Sequence, residues 1–101
     1  MSIVYVISPY EQQSDPEQNA EQIREFCQTE YDMGNIPLAP GLYFSQIVYD
    51  EEMPSSLLEM GLEVLERCDV AHVYGQINNE MMREIRHAEE CDIPVRYMSE
   101  W

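Results

Sequence analysis

A carboxylate on the inward side of a helix is the first residue in this chain that could do chemistry. Glu84 lies three residues after Met81 and four before Ala88, on the stripe those residues share with Ile85. A glutamate held there, one to two turns inside a helix, can serve as a nucleophile or general base. The plainer reading is a stripe-edge side chain that reaches solvent, as most glutamates do. Asp69 follows Cys68 and precedes a strand-like run, so it either contributes a second carboxylate or pairs with an arginine or loop amide. Tyr10, after Pro9, can stack on a base, bond a sugar hydroxyl or cover the core rim. The loop Gly75-Gln76-Ile77-Asn78-Asn79 offers backbone amides at a helix start, where a phosphate, carboxylate or sugar hydroxyl fits.

Other candidates are weaker. His72 falls in the middle of a buried-strand pattern, which favours a satisfied structural histidine, and His87 sits among charges on a helix, which favours solvation. Asp50, Glu51 and Glu52 form an acidic run of the kind that is usually a solvated loop. Cys27, Cys68 and Cys91 are odd in number and far apart, so the spacing indicates no disulfide framework and no metal site, and the reading is three buried or half-buried free thiols. No GxGxxG or GxxxxGK[ST] occurs, which disfavours dinucleotide cofactors and Walker-type ATP binding, and no cofactor is indicated.

The elements that must position these residues alternate. Residues 3–8, Ile-Val-Tyr-Val-Ile-Ser, form a β-branched and aromatic run suited to a strand buried on both faces, and Pro9 ends it. Asp15, Pro16 and Gln18 read as an N-cap, first helical proline and capping-box partner for a helix over about 16–33. Its stripe is Ala20, Ile23, Cys27 and Tyr31, and Gly34 supplies the C-terminal cap. Ile36 and Leu38 mark a short second strand, and residues 41–53 read as a long aromatic and acidic connection. A second helix runs from Pro54-Ser55 to about Arg67, with Leu57, Leu58, Gly61, Leu62 and Leu65 inward and Glu59, Glu63 and Glu66 outward. Val70–Tyr74 is a third strand, Asn78-Asn79 cap a third helix to about Glu90, and Ile93–Met98 is a fourth strand.

Strands alternating with helices imply one α/β domain over residues 1–101, a three-layer fold with a four-stranded parallel sheet and three helices. Strand order 2-1-3-4, of the Rossmann or flavodoxin-like kind, puts a switch point between the first and third strands. A ligand crevice is then expected beyond Ser8-Pro9-Tyr10 and Tyr74-Gly75-Gln76.

Charge narrows the partners. Twenty acidic residues stand against five basic ones, a formal charge of −15, and all five are arginines. No basic stripe exists to neutralise phosphates, which argues against direct nucleic-acid binding, and the same imbalance opposes anionic membranes. No apolar run approaches the roughly 20 residues of a membrane span. The first residues carry no basic n-region and too short an apolar stretch for an export signal, so cytoplasmic residence is the expectation. A charge of this size also permits a different class of function, an acidic inhibitor that imitates nucleic acid and blocks a basic protein partner.

Taken together, Ile7-Ser8-Pro9-Tyr10, Asp15-Pro16-Glu17-Gln18-Asn19, Ile36-Pro37-Leu38-Ala39-Pro40, Glu59-Met60-Gly61-Leu62, Cys68-Asp69 and Met81 to Glu84 resemble the small nucleoside 2-deoxyribosyltransferase-like domains of bacteria and phages. The resemblance runs in order over almost the whole chain. It implies a nucleoside- or nucleotide-derived small-molecule ligand and covalent glycosyl transfer or hydrolysis, with Glu84 as the attacking carboxylate. By the same resemblance Tyr10 matches a tyrosine near the end of the first strand, Asp69 matches an acidic position that can contact the nucleoside, and the chain forms a homo-oligomer in which Met60 and Gly61 could make contact; with Glu84 and Asp69 as the catalytic candidates, Ser8, Tyr10, Gly75, Asn78, Asn79 and Met81 are the residues expected to bind the ligand. The sequence departs from the pattern at Gly41, where a histidine is usual, and at Glu80, where a glycine is usual. Those departures leave room for a non-catalytic binder, including an anti-defence protein that sequesters a signalling nucleotide.

Overall fold

The computed structural model describes residues 1–9, 16–47 and 55–98, and its elements follow the chain as β1 (Ile3–Ile7), α1 (Pro16–Asp32), β2 (Ile36–Leu38), α2 (Pro40–Ile47), α3 (Ser55–Leu65), β3 (Val70–Val73), α4 (Asn79–Glu90) and β4 (Val95–Tyr97). The four strands form one sheet in the order β2-β1-β3-β4, parallel throughout, as the alternation of strands and helices requires. Tyr5 stands beside Leu38 on one edge of β1 and beside Ala71 on the other.

Side chains alternate across β1 and β3 and divide the core in two. Tyr5, Ile7, Ala71 and Val73 point to the layer that holds Leu65 and Cys68 together with Met81, Ile85 and Ala88 of α4. Val6 and Tyr74 point to the opposite layer, against Ile23, Phe26 and Cys27 of α1 and Leu42 of α2. Ile7, Leu65, Met81 and Ile85 are fully buried, and each contributes about 1.5 to 3 kcal/mol relative to exposure.

The helix ends follow the sequence signals. At the end of α1 the Gly34 N–H donates to the Tyr31 carbonyl and the Asn35 N–H to the Glu30 carbonyl, with Gly34 at φ 83°, the left-handed conformation a Schellman cap needs. The end of α4 repeats the motif with Asp92 at φ 59°. At the start of α4 the Asn78 side chain accepts from the Met81 amide at 2.9 Å.

Three expectations are corrected. Part of the connection over 41–53 is helical, because α2 occupies Pro40–Ile47 with a proline at its first position, so among the described residues four helices flank the sheet. The stripe of α1 includes Glu30, completely buried, while Tyr31 is exposed. Cys91 is exposed rather than buried, whereas Cys27 is half-buried, Cys68 is buried and all three thiols are free. Asp15, Tyr10, Pro54 and the Asp50-Glu51-Glu52 run lie outside the described residues.

Candidate functional site

The parallel order leaves the C-terminal ends of β1 and β3 side by side, and the loops that leave them touch. A Cβ built on Gly75 would lie 2.9 Å from Pro9 Cγ, and Gly75 itself has φ 77°. Both conditions demand glycine here. Ser8, half-buried, directly precedes Pro9, and α4 begins at Asn79, four residues after Gly75. The strand order places the topological switch point here, between β1 and β3, where a ligand crevice is expected.

Glu84 points inward from α4 and is half-buried. The Tyr5 hydroxyl, itself buried in the centre of β1, lies against its carboxyl. Burial raises the Glu84 pKa, the Tyr5 hydroxyl lowers it and the Glu80 charge one turn earlier raises it, and the balance is pushed up to about 7. The Tyr5 phenol is driven upward by burial and by Glu84, so it remains a hydrogen-bond donor at neutral pH. Gly61 of α3 makes room for it, since a Cβ there would lie 3.2 Å from the hydroxyl oxygen. A carboxyl half-ionised near neutrality and seated against a phenol can act as acid, base or nucleophile.

The residues expected to line the site separate into groups. Ser8, Gly75, Asn78 and Asn79 lie in the segments that follow β1 and β3; Asn79 is exposed and Asn78 half-buried, its side-chain oxygen engaged with the Met81 amide. Met81 is a core residue, 1% exposed, because its side chain follows the α4 stripe down onto the sheet, so it is not a ligand contact. Asp69 lies at the opposite end of the strands. Its Oδ2 accepts from the Ile3 amide at 2.8 Å and its own amide donates to the Ile3 carbonyl at 2.9 Å, a clasp that starts the β1–β3 pairing. The parallel geometry therefore keeps Asp69 away from the crevice. Tyr10 is outside the described residues.

A second carboxylate was missed by sequence reasoning. Glu30 is completely buried in the α1 layer, where one carboxylate oxygen meets His72 Nδ1 at 2.6 Å and the Tyr74 hydroxyl, and the other accepts from Asn35 Nδ2 at 3.0 Å. Burial pushes its pKa up, but the bonds from Tyr74, His72 and Asn35 outweigh it and hold the carboxyl below its ordinary value. Phe26 stacks on Tyr74 with ring centroids 4.5 Å apart and seals the network. His72 is thus the satisfied structural histidine expected of a buried strand position. Among the described residues no buried side-chain nitrogen or oxygen lacks a partner. The one available signal was a helical position: Glu30 stands seven residues after Ile23, on the same side of α1.

His87 is not simply solvated. Its Nε2 lies 2.8 Å from Glu66 Oε1, and the exposed thiol of Cys91 lies beside both. No described helix is long and apolar enough to cross a membrane. A search of the curated proteins found no match. The model of a domain of unknown function, DUF7768, matches residues 2–98, which span every described strand and helix, and the chain belongs to that family.

Proposed function

We propose that this domain binds a nucleoside- or nucleotide-derived small molecule at the β1–β3 crevice and acts on its N-glycosidic bond through Glu84. The observation that carries the reading is the half-buried Glu84 carboxyl lying against the buried Tyr5 hydroxyl, an environment that pushes its pKa up to about 7. The ionised carboxylate attacks the anomeric carbon, the carbon–nitrogen bond breaks, and the base leaves with the bonding pair and takes up a proton. Water or an acceptor base then displaces the carboxylate from the sugar ester and regenerates it. Tyr5 is the positioning residue, donating to the carboxylate and favouring its ionised form.

Ser8, Gly75, Asn78 and Asn79 form the ligand side of the proposal, and Tyr10 joins it by resemblance alone. Asp69 and Met81 do not. Cytoplasmic residence and self-association through the exposed Met60 on α3 belong to the same proposal, and Gly61 faces the interior instead.

The test is incubation of the pure protein with a pool of nucleosides, nucleotides and ADP-ribose-type compounds, followed by ultrafiltration and mass spectrometry of every species. Release of a free base that disappears in Glu84→Gln supports glycosidic chemistry. Depletion of one intact compound, equal in parent and variant, supports the binding part and overturns the catalytic part. An unchanged pool overturns both and favours the acidic inhibitor reading motivated by the charge of −15.

A further inference from the structure

At the other end of α4 from the crevice, three side chains of different donor chemistry converge. Glu66 follows the last residue of α3, His87 lies in the last turn of α4, and Cys91 is the C-cap of α4. His87 and Cys91 are four residues apart and so share one helix side, the spacing that lets two ligands reach one ion. The donor separations are 2.8 Å from His87 Nε2 to Glu66 Oε1, 3.8 Å from Cys91 Sγ to His87 Nε2 and 4.0 Å from Cys91 Sγ to Glu66 Oε1. A triangle with those edges has a circumscribed radius of about 2.1 Å, within the roughly 2.0 to 2.3 Å of zinc bonds to nitrogen, oxygen and sulfur.

We propose that Glu66, His87 and Cys91 form a site for one zinc-type divalent cation, with solvent in the fourth position. The ligand set is that of a borderline-soft metal rather than of magnesium or calcium, which take oxygen donors. Binding forms bonds from the cation to the carboxylate oxygen, the imidazole Nε2 lone pair and the thiolate, and the thiol proton leaves to solvent. Glu90 and Asp92 add negative charge around the thiol, and Arg67, next to Glu66 in the chain, is held by the Glu63 carboxylate at 3.1 Å. The Cys91 amide, donating to the His87 and Ala88 carbonyls, fixes the thiol's backbone in place before any ion arrives. A bound ion would rivet the end of α3 to the end of α4.

The test is titration of the full chain with zinc in the presence of excess magnesium, read by calorimetry, and with cobalt, read by absorbance. One saturable equivalent is expected, with a thiolate-to-cobalt charge-transfer band. Cys91→Ser and His87→Gln should each weaken binding by at least about tenfold, because losing even an outer-shell partner costs about 10- to 100-fold. Cys91→Ser should also abolish the charge-transfer band, and circular dichroism of this exposed-site variant should match the parent. Cys27→Ser should bind as the parent does. Absence of a saturable equivalent, binding that magnesium displaces, or unchanged affinity in both ligand variants would each overturn the site.

Discussion

The Tyr5 hydroxyl of the central strand β1 lies against the Glu84 carboxyl of helix α4 and against Gly61 of α3. That contact couples the proposed chemistry to the stability of the fold. The pKa of Glu84 in the native state, about 7, exceeds the ordinary 4.5, so between those pH values the native protein keeps a proton that the unfolded chain has released. Unfolding free energy attributable to Glu84 therefore falls as pH rises through this window, by about 3 kcal/mol in all. Glu84→Gln should remove the dependence, and urea denaturation should find the variant gaining on the parent as pH rises from 5 to 8.

Glu30 titrates in the opposite sense. Its native pKa is lowered, so its stabilisation is complete above the ordinary carboxylate range and is lost as pH falls through the native value. Glu30→Ala leaves His72, Tyr74 and Asn35 without their common acceptor and should cost about 3 to 5 kcal/mol near neutrality. The difference between parent and variant should shrink on acidification, which denaturation midpoints across the acid range would measure.

Gly75→Ala combines a left-handed backbone with a collision at Pro9. The expected loss is about 2 kcal/mol or more, since the backbone alone costs about 1 to 2. Pro9→Ala removes the colliding ring atoms, so a double-mutant cycle should recover the steric part and leave the backbone part.

Gly61→Ala is the sharper probe of Tyr5. Alanine improves the intrinsic helix propensity of α3 by roughly 1 kcal/mol, yet its methyl group would meet the Tyr5 oxygen at 3.2 Å. Displacing the hydroxyl weakens the interaction that lowers the Glu84 pKa, so the carboxyl should titrate above the parent value of about 7. Carboxyl NMR titration of parent and variant would read this, and an unchanged Glu84 would contradict the assigned contact.

The sheet was legible because its apolar runs are short, dense and separated by helices, a pattern that leaves few parallel arrangements. Glu84 was legible as an inward residue because Met81, Ile85 and Ala88 define the buried side of α4 around it. Helix α2 was hidden because proline, glycine and aromatic residues read equally well as a connection. Glu30 was hidden for a different reason. A periodicity argument selects apolar side chains, and here Tyr31 looked apolar while the buried position belonged to a carboxylate whose partners arrive from Asn35, His72 and Tyr74. The Glu66, His87 and Cys91 grouping depends on how α3 packs against α4, which no local spacing reports.

The central position of β1 also bears on how the protein is made. It is synthesised before both of its neighbours, which are supplied by residues 36–38 and 70–73. Until Val70–Val73 has been synthesised, the most apolar segment of the nascent chain keeps an open hydrogen-bonding edge, the state in which strands from different chains pair with each other. Fragments that stop before β3 are therefore expected to aggregate, and β1 is the segment most dependent on protection during synthesis.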